Sequence, residues 1–283
     1  MKKIIHTVSV LFSLLALSSP LLGDAAKPRI ITVGGPVTEL VYALGAGDQI
    51  AATDASSQFP AEARELPQLG YVSALSAEGV LSKAPDMILA TSRIGPPAVV
   101  EQLKAAGMHL MIVDNPHDAE SLQAAVRDIA YAIGRKAEGE ALSSRIAAGL
   151  DAAQLLKSPA GPVRVVFLMG HNGAAMAAGS ETQAAGMIEL ANGKNVFAGF
   201  SGYKPVTEEA LLAAAPDVIL VGDHQGEAAD GAALLAEMGL ARLARLTDAD
   251  VVLLDLGMFL NFGPRTGEAA LKLAEIFAVS TDT

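Results

Sequence analysis

The 283-residue chain contains no cysteine, so no disulfide can staple its fold and no thiolate can attack a substrate or bind a metal. Oxygen and imidazole are the ligands left for any metal, and only five histidines supply the imidazole. Basic side chains are also in short supply. Twenty Lys and Arg stand against 31 Asp and Glu, a net charge of −11 whose sign argues against nucleic acid and anionic membrane as partners. The sequence has no G-x-G-x-x-G, no G-x-x-x-x-G-K-[ST], no G-x-S-x-G elbow and no H-E-x-x-H. No nucleophile, base and orienting group can be assembled, which places an enzyme low among the readings.

What is present is apolar, 51% of all residues, enough for a large core or two modest lobes. Met1-Lys2-Lys3, an apolar run over 4–22 and Gly23-Asp24-Ala25-Ala26 have the three regions of a secretory leader, expected to span 1–25. An uncleaved anchor is the alternative, but His6, Ser9, Ser13 and Ser18-Ser19-Pro20 interrupt the run. Removal of 1–25 leaves 18 basic against 30 acidic side chains, a net charge of −12. Such a leader predicts export from the cytoplasm.

Short apolar runs at 29–33, 49–54, 87–90 and 110–113 read as strands. Helix-spaced segments at 37–44 and 97–106 alternate with them, each closed by a glycine. The same alternation returns as strands at 163–169, 218–221 and 251–254 and helices at 183–190 and 267–278. Between the two sets, Leu122, Val126, Ile129, Ile133, Leu142, Ile146 and Leu150 keep helical spacing. One helix there would be about 58 Å long, although Gly134, Gly139 and Gly149 would also suit a break into two. The expected fold is α/β, two lobes with mainly parallel sheets flanked by helices and joined by one long helix. Its parts are an N-terminal lobe at 26–118, the connecting helix at 119–160 and a C-terminal lobe at 161–283.

Residues 76–90 align without gaps to 207–221 at a constant offset of 131. Each copy starts with a helix-capping residue, Ser76 or Thr207, and ends in Pro-Asp before a buried strand. Glu78 and Glu209 hold equivalent places on the first helical turns. They either complement the helix ends or present a matched pair of acids to basic sockets on a two-fold partner.

Of the remaining histidines, His109 lies in an apolar run, His117 in a turn and His224 in a polar loop, where ordinary structural roles are expected. His171 directly follows the strand 163–169, at a carboxyl end of the kind where open α/β sheets place ligands. Tyr71 sits in a loop just before the first repeat copy. A tyrosine there is usually a packed surface residue, but its phenolate is also a good ligand for ferric iron.

Several segments carry a family resemblance over 29–278. They are Gly34-Gly-Pro-Val-Thr-Glu-Leu-Val-Tyr-Ala-Leu-Gly45, Leu69-Gly-Tyr-Val-Ser-Ala-Leu-Ser-Ala-Glu-Gly79, Met169-Gly-His-Asn-Gly173, Phe200-Ser-Gly-Tyr-Lys-Pro205 and Phe262-Gly-Pro-Arg-Thr-Gly267. On these the chain resembles the haem-specific periplasmic binding proteins of bacterial haem ABC importers, within the class that also carries siderophores and cobalamin. The resemblance implies transported haem held between two lobes, with Tyr71 as axial iron ligand and His171 matching the ligand of a second haem. It also implies docking of Glu78 and Glu209 on an inner-membrane ABC permease, and an outer-membrane haem receptor system upstream. Many relatives carry arginine two residues after the tyrosine, where this chain has Ser73. Arg93, Lys204 and Arg265 are candidates to replace that charge or to pair with haem propionates. Tyr203 is the alternative tyrosine ligand. Rival cargoes are a ferric siderophore or a corrinoid on the same fold, or zinc or manganese held by His117, His171 and His224.

Overall fold

The computed structural model describes residues 27–157, 161–171, 173–223 and 230–280. The expected leader at 1–25 and His224 lie outside the described residues. Among the described residues, no helix is long and apolar enough to cross a membrane.

The N-terminal lobe runs β1 (Ile30–Val33), α1 (Gly35–Ala43), β2 (Ile50–Thr53), α2 (Ala77–Leu81), β3 (Met87–Thr91), α3 (Pro97–Ala105) and β4 (Leu110–Val113). Its strands form one parallel sheet in the order β2-β1-β3-β4. β1 turns into α1 through Gly34, whose φ of 103° and the 2.8 Å that would separate an added Cβ from the Thr91 side chain both require glycine.

Two helices follow, α4 (Ala119–Ala132) and α5 (Lys136–Leu155). A single helix over 119–160 is thus corrected to a pair, of which the 20-residue α5 is the long member. The break lies at Gly134, whose left-handed φ of 69° lets its amide reach Tyr131 O while the Arg135 amide reaches Ala130 O. Asp118 starts α4 by accepting the Ser121 amide, and Ser121 Oγ accepts the Asp118 amide in return.

The C-terminal lobe contains β5 (Arg164–His171), β6 (Ala174–Ala178), α6 (Gln183–Leu190), β7 (Lys194–Asn195), β8 (Tyr203–Pro205), α7 (Glu208–Ala214) and β9 (Val218–Asp223). It ends with α8 (Gly231–Glu237), α9 (Leu243–Leu246), β10 (Asp250–Asp255), α10 (Leu256–Phe259) and α11 (Thr266–Val279). Its sheet has the order β10-β9-β5-β6-β8, with β7 beside the start of β5. β5, β9 and β10 are parallel, while β6 and β8 run antiparallel at the edge.

The internal repeat is structural. In each copy a hydroxyl caps the helix: Ser76 Oγ accepts the Gly79 amide, and Thr207 Oγ1 accepts the Ala210 amide. A left-handed alanine follows each helix, Ala84 (φ 45°) or Ala215 (φ 42°), a pair at the same offset. In each copy an arginine clamps the helix-to-strand turn. Arg29 donates its backbone N–H to Asp86 and its guanidinium to Lys83 O and Ala84 O; Arg164 does the same to Asp217, Ala214 O and Ala215 O.

Alternation along the strands divides the core. Ile31, Val33, Ile88 and Ala90 pack within the N-terminal lobe, and Val166, Leu168, Ile219 and Val221 within the C-terminal lobe. Ile30, Leu89, Val165, Phe167, Val218 and Leu220 instead join one core that also takes in Leu122, Ile129, Leu142 and Ile146 from the connecting helices, with Leu273 and Phe277 of α11. α5 crosses α11 closely, since a Cβ on Gly149 would fall 2.8 Å from Gly267 Cα. Because the lobes share this core, swinging one away would expose apolar surface, and the spacing between them is held by packing.

Candidate ligand-binding cleft

Segments that follow strand carboxyl ends in the two lobes touch, and the candidate cleft lies beside them, where open α/β sheets place ligands. At one end, α1 of the N-terminal lobe touches the segment after α10: Arg265 Nε and Nη2 each donate to Glu39 at 2.8 Å, and Asn261 Nδ2 donates to Glu39 Oε1 at 3.2 Å. Arg265 also donates to Gly257 O and lies over the Phe59 ring at 3.9 Å. Burial pushes the Glu39 carboxyl above its usual range, and Arg265 and Asn261 pull it part of the way back. At the other end the His117 carbonyl lies so close to Gly186 that any Cβ there would overlap it, and the charge of Arg93 acts on Tyr203 across the gap.

Tyr71 belongs to the N-terminal rim. Its ring is 49% exposed, yet Val72 and Leu75 beside it are buried. The backbone is held on both sides: Leu69 N donates to Thr53 O (2.9 Å) and Ala55 N to Gly70 O (2.8 Å), while Gly95 N donates to Val72 O and Leu75 N to Gly95 O (both 3.0 Å). An open phenol on a pinned loop is preorganised to meet a ligand. Gly95 belongs to the loop that carries the exposed Arg93, so Arg93 and Tyr71 stand on neighbouring loops.

The C-terminal wall is read from register. Phe167, Met169 and His171 alternate onto one face of β5, Met176 pairs with Met169, and Tyr203 pairs with Ala178 on that same face. The Phe167 and Tyr203 rings meet edge to face at 6.5 Å, and both methionines are half-buried. Burial raises the Tyr203 phenol above its usual range, outweighing the opposing effects of Arg93, the Thr182 hydroxyl and the Ala184 backbone. His171 is exposed at the end of β5.

Tyr71 and Arg93 thus stand on neighbouring loops of the N-terminal lobe, and His171 and Tyr203 share one face of the C-terminal sheet. Lys204 points from the opposite face of β8, with its Nζ 5.1 Å from the centre of the Phe200 ring. Arg265 stands at the far end of the cleft in its pair with Glu39. Glu78 and Glu209 are exposed in the first turns of α2 and α7. A backbone amide and the Thr207 hydroxyl hold the Glu209 carboxyl below its usual range. Among the described residues, no three His, Asp or Glu side chains are grouped to hold a metal ion. Glu39 and the methionine pair were not singled out from the sequence, because an acid and two apolar residues inside regular elements carry no motif.

The model of the periplasmic binding protein family matches residues 30–254. The chain belongs to that family. The family's description sets this binding protein in the periplasm, and the ABC transporter substrate-binding lipoprotein YvrC of Bacillus subtilis is 24% identical to it over 87% of this chain and 79% of that protein. The chain is 38% identical to the periplasmic haem-binding protein BhuT in complex with two haems, over 89% of this chain and 98% of that one, at a TM-score of 0.80. The periplasmic haem-binding protein RhuT from Roseiflexus sp. RS-1 is 33% identical over 90% and 99% of the two chains, at a TM-score of 0.81. A vitamin B12-binding protein from Yersinia pseudotuberculosis is 25% identical over 221 residues, 78% of this chain and 76% of that protein.

Proposed function

We propose that this binding protein captures haem between its lobes and delivers it to an ABC permease, without chemistry on the haem. The observation that carries the reading is Tyr71, an open phenol on a loop pinned by backbone hydrogen bonds. Tyr71 ligates the ferric iron, and the methionines and neighbouring apolar groups take the porphyrin face. Arg93, on the loop beside Tyr71, supplies the positive charge that Ser73 lacks and meets a propionate. His171 ligates a second haem. Likeness to two haem-binding proteins above 30% identity supports the cargo.

Titration of the protein with haem, followed by visible absorbance, tests the reading. Saturation is expected at two equivalents in the wild type and at one in His171→Ala. Wild-type saturation at one equivalent removes the second site, and no saturation overturns the haem reading. The relative that binds vitamin B12 favours a corrinoid as the second reading. The same titration with cobalamin separates the two, because only a corrinoid carrier saturates with it.

Glu78 and Glu209 serve as the docking pair. The double variant Glu78→Arg with Glu209→Arg should bind haem as the wild type does while stimulating the permease ATPase at concentrations roughly 100-fold higher, because each reversal sets like charges against each other. Unchanged stimulation would show that docking uses another surface.

A further inference from the structure

We infer that Asp54 is a positioning residue for Tyr71, the buried carboxylate that fixes the turn from which the tyrosine loop hangs. The inference rests on the reading of Tyr71 as iron ligand. Asp54 directly follows β2 and is fully buried. Its Oδ1 accepts from Gly34 N (2.7 Å) and Ser57 Oγ (2.8 Å), and its Oδ2 from Ser56 N (2.9 Å) and Ser56 Oγ (2.6 Å). All four donors are neutral, and among the described residues no Lys or Arg forms an ion pair with this carboxylate. A carboxylate withdrawn from water without a counter-charge is costly, and hydrogen bonds to its ionised form offset that cost only if the donors stay in place.

Those bonds fix the path of residues 54–57. Ser57 is tied further to Thr38 Oγ1 at 2.7 Å, and Thr38 to Thr32 Oγ1 at 2.8 Å, so the turn is anchored to α1 and β1. The backbone of the same turn carries the tyrosine loop. Thr53 N donates to Pro67 O (3.0 Å), Leu69 N to Thr53 O (2.9 Å) and Ala55 N to Gly70 O (2.8 Å). Ala55 lies between Asp54 and Ser56, both held by the carboxylate, and Gly70 turns the chain into Tyr71 at a φ of 98°. A displacement of the turn therefore passes through one hydrogen bond to the peptide preceding Tyr71. Asp54 acts only through that route.

The test compares Asp54→Asn, Tyr71→Phe and the wild type by the visible spectrum of the ferric-haem complex and by the rate of haem transfer to excess apo-globin. Asparagine keeps the shape but opposes an amide donor to the Ser56 donors. Release should quicken about tenfold or more, with a weakened tyrosinate band. Ile146→Val, which thins the shared core away from this turn, should lower the melting temperature but keep the wild-type spectrum and release rate. Asp54→Asn with wild-type spectrum and release, beside Tyr71→Phe that loses the band, overturns the inference alone. Retention of the band in Tyr71→Phe overturns the ligand reading and the inference with it. Should Asp54→Asn fail to fold, Ser56→Ala removes one of the four donors and should quicken release about two- to fivefold. Wild-type release in that variant overturns the inference.

Discussion

Tyr71→Phe should lose the tyrosinate absorption of the ferric-haem complex and weaken haem binding at least about 100-fold, since loss of groups that merely support a metal ligand already costs about 10- to 100-fold. Phenylalanine keeps the ring and loses only the oxygen. The ring is half in solvent and its loop is held by backbone bonds, so the melting temperature should stay close to that of the wild type. Tyr203 is poorly placed to take over. Its phenol is buried, raised above its usual range and engaged with Thr182 and Ala184. A spectrum unchanged in Tyr71→Phe would nevertheless move the ligand role to His171 or Tyr203, and adding His171→Ala and Tyr203→Phe to the comparison identifies which.

Arg265→Ala should destabilise the protein by about 3–5 kcal/mol at neutral pH, because it leaves the Glu39 carboxylate buried without its cation. Glu39 is 1% exposed and Arg265 17%, so solvent screens this pair little. The variant also removes the stack on Phe59 and the bond to Gly257 O, both on the cleft floor. The pH dependence has a defined sign. Burial already holds the Glu39 carboxyl above its usual range, and loss of Arg265 raises it further. A group raised on folding contributes its stability below the unfolded value and loses it as pH rises through the folded value. The penalty of Arg265→Ala should therefore be smallest in acid, where Glu39 takes up a proton, and largest at neutral pH. Adding Glu39→Gln should recover much of the loss, since no charge is then left buried. Thermal melts across pH check both points; a penalty independent of pH would mean that lost packing, not the stranded carboxylate, dominates.

Much of the architecture was legible because it is written in local patterns. The apolar runs of β1, β3, β4 and β9 are short, β-branched or aliphatic and bounded by turn residues, and they match the observed strands to within about two residues. The repeat at a constant offset announced two equivalent lobes, and its structural counterpart extends to Ala84 and Ala215, left-handed in both copies. The clamping arginines were missed, since Arg29 and Arg164 lie outside the aligned segment and their partners are carbonyls. No phosphate-binding spacing surrounds Gly34, and its place there is a tight strand-to-helix turn.

Other features needed distant partners. β6 is Ala-Ala-Met-Ala-Ala, a composition that favours helix, and it is a strand because Gly173 turns it back onto β5. The glycines of the connecting segment look alike in the sequence. Only Gly134 breaks it, while Gly139 fits against Ala130 and Gly149 admits Gly267.

The sequence by itself determined the main alternation of strands and helices and the two-lobed plan, because propensity and periodicity act over a few residues and the repeat marks the second lobe. The tertiary structure decided which polar groups are left to meet a ligand. Arg93, Lys204 and Arg265 are equally basic on paper, but one stands at the cleft rim, one lies over Phe200 and one is paired with Glu39, 226 residues away. Burial and pairing depend on residues brought together from both lobes, and those contacts exist only once the shared core has closed.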